Sequence, residues 1–189
     1  MRILVVLMMF LAMSAVAGEE PPAEVKEVGE VGRCDMSLNI GWFARQDVSV
    51  KPGRVVGPDF NLHIEDDVIY GFIRGKTTRL KVKKDSVSGS AAGFDLMLHI
   101  NKSELETEVR GLVGVQRVVA KVSDEKVSVS SAASSLAVSR VKGGHFRGHV
   151  GRGGSDIQFA EMTLSGCDLS FLKDRPGLIV ALFMAWLGA

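Results

Sequence analysis

The sequence predicts an all-β fold, a closed antiparallel barrel- or prism-like array of Gly-punctuated repeats carrying one apolar C-terminal helix. Three observations support it. First, Gly53-Arg-Val-Val-Gly-Pro-Asp-Phe-Asn-Leu-His-Ile64 returns 36 residues later as Gly89-Ser-Ala-Ala-Gly-Phe-Asp-Leu-Met-Leu-His-Ile100. Glycine, Asp and the Leu-His-Ile ending fall in one register, and a fixed period of this size marks a repeat architecture. Second, apolar residues alternate with polar ones between Gly- and Asp-bearing turns, the period-two pattern of strands. Third, the last stretch, Leu178-Ile-Val-Ala-Leu-Phe-Met-Ala-Trp-Leu187, abandons alternation and is apolar on every side. A parallel β-solenoid with coils of about 18 residues is the alternative arrangement of such repeats. Closure is favoured because it removes exposed strand edges and because the copies at both ends of the array are shortened.

Residues 1–17 read as a signal peptide: Arg2, an apolar run from Ile3 to Met13, then Ala15-Val-Ala17 as the cleavage site. The apolar run stops well short of the roughly 20 residues a membrane anchor needs. Cleavage after Ala17 leaves 22 basic and 22 acidic side chains. Zero net charge argues against a nucleic-acid binder or a polybasic membrane-surface protein. Residues 18–30 form an acidic, Pro-containing lead-in expected to be flexible. The β-repeat domain is expected over 31–172 and the helix within 173–189.

The first copy of the theme is Gly32-Arg-Cys-Asp-Met-Ser-Leu-Asn-Ile40, followed by Trp42-Phe43. A second marker is interleaved: Phe72-Ile-Arg-Gly75, Glu108-Val-Arg-Gly111 and His145-Phe-Arg-Gly148. Each full repeat of 36–40 residues therefore divides into half-units of about 18. Around Val127–Val138 the copy keeps its spacing but loses its glycines, and the last copy, Gly166-Cys-Asp-Leu-Ser-Phe171, is truncated. Arg79, Lys81 and Lys83 alternate along one strand and Glu104, Glu106 and Glu108 along another, which suits complementary cross-strand pairing on a solvated face. In the tail Asp174 is placed to cap a helix and Pro176 to start it. A helix apolar all round must be buried, and at 10–12 residues it is too short to span a bilayer.

Candidate functional residues are few. His63 and His99 alternate with buried aliphatics and point outward. The arginines Arg74, Arg110 and Arg147 recur at equivalent places in the second marker, and about a pseudo-axis they would form an anion-binding surface. His145 and His149 lie in the basic Gly-rich stretch Lys142-Gly-Gly-His-Phe-Arg-Gly-His-Val-Gly-Arg-Gly-Gly154, where backbone amides beside Arg and His suit an anion. The recurrent aspartates Asp35, Asp59, Asp95 and Asp168 follow glycine at expected turns and are accounted for by local backbone bonding. No metal site and no cofactor site is read from the sequence. The sequence contains no nucleophile elbow, His-Glu-x-x-His, Cys-His or phosphate-loop pattern.

The reading is an exported, non-enzymatic structural or ligand-binding protein of the cell envelope or extracellular space, taking an acidic or carbohydrate ligand. A small envelope hydrolase, or an inhibitor of an envelope enzyme, is the alternative, and it requires Asp, Glu or His from different repeats to meet in a cleft. The two cysteines, Cys34 and Cys167, occupy the same place in the first and last copies, so a disulfide between them is predicted to pin the first strand to the last.

Overall fold

The computed structural model describes residues 32–41, 44–153 and 156–187. The expected signal peptide and acidic lead-in lie outside them, as do Trp42 and Phe43. The described chain forms fourteen strands and two helices. The strands are β1 (Cys34–Ile40), β2 (Ala44–Lys51), β3 (Arg54–Gly57), β4 (Phe60–Glu65), β5 (Val68–Ile73), β6 (Lys76–Val82) and β7 (Ser86–Ala91), then β8 (Phe94–Lys102), β9 (Glu106–Val113), β10 (Gln116–Ser123), β11 (Lys126–Ser130), β12 (Ser134–Lys142), β13 (His145–Arg152) and β14 (Asp156–Ser165). The helices are α1 (Leu169–Lys173) and α2 (Pro176–Leu187). Each strand pairs antiparallel with its neighbours in sequence, and β1 pairs with β14 to close a barrel. The solenoid alternative is thereby excluded.

Period-two alternation explains the faces. Along β1 every second residue, from Cys34 to Ile40, is buried and the residues between are half-buried. Leu62 and Leu98 point inward at the repeat-equivalent positions, with His63 and His99 outside them. One repeat spans four strands and one half-unit of about 18 residues spans a hairpin. The marker with Arg-Gly is less regular than its letters suggest. Arg74-Gly75 is the tip of the β5–β6 hairpin, both residues at positive φ (52° and 73°), whereas Arg110-Gly111 and Arg147-Gly148 lie within strands.

The glycine that corresponds to Gly111 and Gly148 is instead Gly71. It faces Leu62 across the ladder, as Gly111 faces Leu98 and Gly148 faces Val138. A Cβ on Gly71 would lie 2.2 Å from the Asn61 carbonyl oxygen, and one on Gly148 would lie 1.8 Å from that of Ala137. These strands approach their neighbours too closely for any side chain there.

The interior is apolar and filled. A round barrel of fourteen strands at about 4.8 Å spacing, tilted as closure requires, would measure roughly 28 Å across. Inward side chains alone cannot fill that width, and a helix about 10–12 Å thick fits the remainder. Leu178 to Met184, seven consecutive residues and so every face of α2, are all buried. The helix packs against β5, β6, β7 and β9. Gly177 makes its approach possible, because a Cβ there would meet Val82 at 2.5 Å and Ile69 at 2.9 Å. Full burial of Leu178, Ile179, Val180, Leu182, Phe183 and Met184 contributes about 9–18 kcal/mol at 1.5–3 kcal/mol each. That matches or exceeds the net stability of a whole domain, about 5–15 kcal/mol, so the helix is part of the core.

The tail departs from expectation in its first half. Asp168-Leu-Ser-Phe171 is no final strand copy: Asp168 accepts from the backbone N–H of Ser170 (3.0 Å) and of Phe171 (3.4 Å) and caps α1. Asp174, expected to cap the long helix, ends α1; the backbone carbonyl of Arg175 receives the first N–H groups of α2. Four groups hold the α1–α2 corner to the barrel. The Thr107 hydroxyl donates to the Lys173 carbonyl (2.9 Å), and Lys102 donates to that of Asp174 (3.2 Å). Lys173 reaches both Asp124 (2.8 Å) and the Glu104 carbonyl (3.3 Å).

The Cys34–Cys167 disulfide is present, with Cα atoms 5.2 Å apart. Cys34 is the first residue of β1, but Cys167 lies just past β14, in the turn to α1. The bond therefore fastens both the barrel seam and the start of the helical tail.

Candidate functional site

The antiparallel order sorts every connection to one of two ends. The helix-bearing end holds the turns after β2, β4, β6, β8, β10 and β12, the disulfide and α1. The other end, here the glycine-turn end, holds the turns after β1, β3, β5, β7, β9, β11 and β13.

The sequence-predicted residues are only partly brought together. His145, Arg147 and His149 alternate along the outer face of β13, with small neighbours Ala137 and Ser139 on β12. Arg147 is paired with Glu161 on β14 at 3.0 Å. Arg110 stands on β9, four strands away, beside Glu108 at 3.5 Å. Arg74 is at a hairpin tip of the glycine-turn end. The three arginines do not converge, because the marker that carries them serves as a turn once and as a strand twice.

The charged strands also find other partners than expected. Glu106 and Glu108 of β9 are bridged by Lys121 of the adjacent β10, at 3.2 and 2.9 Å, while Arg79 and Lys81 sit three strands away on β6. Lys121, with Arg110 adding charge, holds the Glu108 carboxyl below the ordinary range, and Glu108 and Glu106 raise the Lys121 ammonium in return. Of the recurrent aspartates only Asp59 is at a turn. Asp35 lies on β1 and Asp95 on β8, and Asp168 caps α1.

A constellation that the sequence did not single out lies on β1 and β2. Arg33-Cys-Asp35-Met-Ser37 and Arg45-Gln-Asp47-Val-Ser49 share the pattern Arg-x-Asp-x-Ser, and β1 and β2 pair so that Asp35 faces Ser49 and Ser37 faces Asp47. Arg33 and the Ser49 hydroxyl lower the Asp35 carboxyl, while Ser37 and then Arg45 lower Asp47. The pattern was legible as text; its two-fold pairing needed the hairpin register. The Arg33–Asp35 and Arg45–Asp47 ion pairs form an ionic plate over a shallow depression bordered by Val56 and Thr163, while the buried Ser37 and Ser49 hydroxyls beneath them lack a close hydrogen-bond partner.

A cleft of ≈ 460 Å³ opens at the helix-bearing end, between the α1–α2 corner and the β2–β3 and β4–β5 turns. Val50, Ile64, Ile69, Val82 and Leu178 give it an apolar floor, and Lys51, Arg175, Asp66 and Asp174 also line it. Its one ring, Phe171, is covered on one face by the Arg175 guanidinium, 4.1 Å from the ring centre. That stacking takes one of the two aromatic faces a sugar could use.

A smaller depression of ≈ 270 Å³ gathers Glu65, Asp66 and Asp67 with Tyr70 and Arg79. These carboxylates are consecutive, Glu65 ending β4 and Asp66 and Asp67 forming the turn after it, not drawn from different repeats as the hydrolase alternative requires. Tyr70 donates to Glu65, which raises the phenol, and its ring stacks on His63 with centroids 5.3 Å apart.

No family model, curated protein or solved structure matches the chain.

Proposed function

We propose that the protein is an exported, non-enzymatic binding protein of the cell envelope or extracellular space, and that its ligand occupies the cleft at the helix-bearing end. The observation that carries this reading is the cleft itself: an apolar floor at a barrel mouth with a few charged groups at its rim, the usual form of a small-molecule site. The barrel interior is not available, since α2 fills it. Of the two ligand classes the sequence suggests, the acidic one is favoured, with Lys51 and Arg175 as the groups that would meet it. The apolar floor adds a requirement for a hydrophobic body.

An anionic amphiphile such as dansyl-undecanoate is the probe. One saturable site per chain is expected, with affinity reduced at least tenfold by Pro52→Trp, which places an indole at the cleft from the exposed β2–β3 turn, and reduced also by Arg175→Glu, circular dichroism checking that each variant folds. Absence of saturable binding to the native protein, or equal binding by the folded Pro52→Trp variant, overturns the reading.

A further inference from the structure

We propose that the glycine-turn end of the barrel seats on a lipid bilayer, its exposed apolar side chains entering the interface. Ten large apolar side chains are exposed among the described residues. Two of them, Leu105 and Val141, lie towards the helix-bearing end, and the other eight lie in the half towards the glycine turns. The most prominent is Val115, 97 % exposed at the β9–β10 tip, with Leu112 and Met97 behind it on paired strands. Phe72 on β5 and Ile157 and Phe159 on β14 continue the band around the rim.

The charge distribution follows the same axis. The seven connections at this end contain two charged residues, Asp59 and Arg74; the six strand connections at the opposite end contain eight, among them Asp66, Asp67, Lys83 and Glu125. A charge at a tip opposes entry into an apolar medium, and here the tips are nearly free of them. Just behind the tips Arg45, Lys76, Arg117 and Arg152 stand against Asp95 and Asp156, with Asp47 paired to Arg45, so the rim is within about one charge of neutral.

The occupant follows from how the apolar groups are spread. Phe94, Met97, Leu112 and Val115 adjoin on β8 to β10, but Val56, Phe72, Ile157 and Phe159 stand apart from them on β3, β5 and β14 around the rim, whereas a protein interface concentrates its energy in one contiguous, packed centre. A fluid bilayer has no such requirement and takes up separate side chains wherever they project from a rim. The barrel does not span the bilayer in this arrangement. Its outer strand faces carry Glu106, Glu108, Lys121 and Arg147 and its interior is apolar, the reverse of a lipid-embedded barrel.

The test is co-sedimentation of the full chain with vesicles of phosphatidylcholine alone and with 30 % phosphatidylglycerol added. Binding to both is expected, within about threefold of each other, because the rim is nearly neutral. A Val115→Asp, Leu112→Asn double variant should lose at least tenfold, while Leu105→Asp at the other end should bind as the native chain does. All three side chains are half or more exposed, and circular dichroism checks that each variant folds. No vesicle binding, or equal loss on Leu105→Asp, overturns the proposal. So does concentration-dependent dimerisation that Val115→Asp abolishes, which would assign this end to a second copy of the chain.

Discussion

The two ends of the barrel solve chain reversal by different physics. At the glycine-turn end the described tips are tied to the strand or hairpin beside them. Arg74-Gly75 and Ala92-Gly93 take positive φ at a tip, the Arg74 N–H donates to the Asp59 carbonyl of the preceding hairpin, and the Ala92 N–H donates to the Thr78 hydroxyl of the adjacent strand. At the helix-bearing end the reversals are tied to distant segments. Thr107 holds Lys173, Lys102 holds Asp174, Lys173 holds Asp124, and Cys34 holds Cys167. The first kind of end is built from local conformational preference and leaves its surface free for apolar contact. The second carries the long-range ties, so disruption there should propagate to the whole barrel.

Deleting residues 176–189 is the severest way to break the contrast. It removes the buried face of α2 all round, and the outcome expected is aggregation or failure to fold. A truncated protein with unchanged thermal unfolding would show that the interior does not depend on the helix. The disulfide comes next. Cys34→Ser with Cys167→Ser should lower stability by about 2–4 kcal/mol, read from denaturant midpoints under non-reducing conditions. The β1–β14 ladder, paired from Asp35 to Ile40, should keep the barrel closed.

A pair of glycine variants separates strand from tip. Gly71→Ala forces a Cβ against a backbone carbonyl and should cost about 1–3 kcal/mol. Gly75→Ala meets no atom within 4 Å and should cost about 1 kcal/mol, from positive φ alone. Equal losses would mean that close strand approach is relieved by backbone movement.

The smallest expected effect is at the α1 cap. Asp168→Ala should cost about 1 kcal/mol. The Ser170 hydroxyl, with the amides of Phe171 and Ser170, holds the Asp168 carboxyl below its ordinary value of 3.8. A depressed folded value means the cap's contribution is complete above that unfolded value and is lost as pH falls below it towards the folded one. Acid titration of native and Asp168→Ala proteins should therefore converge below the ordinary carboxylate range. A difference that persists at low pH would assign the cap to packing instead of charge.

Much of this molecule is decided within a few residues of chain, and that much the sequence determined. Alternation placed Leu62 and Leu98 inside and His63 and His99 outside, since successive side chains on a strand must point to opposite faces. The uninterrupted apolar run of the tail required burial wherever it went. Two cysteines at matching ends of a repeat led to a bond that is present.

What only the tertiary structure decided is where strands end and which strands become neighbours. Identical Arg-Gly letters became a tip at Arg74 and strand interior at Arg110 and Arg147, because a strand stops where its partner stops pairing. Asp168-Leu-Ser-Phe171 has the composition of a strand copy, yet it coils into α1. By then β14 has met β1 and closed the sheet, so the next segment has no edge to join and its backbone must satisfy its hydrogen bonds internally. The mouth cleft escaped sequence reading for the same reason: Val50, Ile69, Val82 and Leu178 are distant in the chain and meet only once the barrel has closed around its helix.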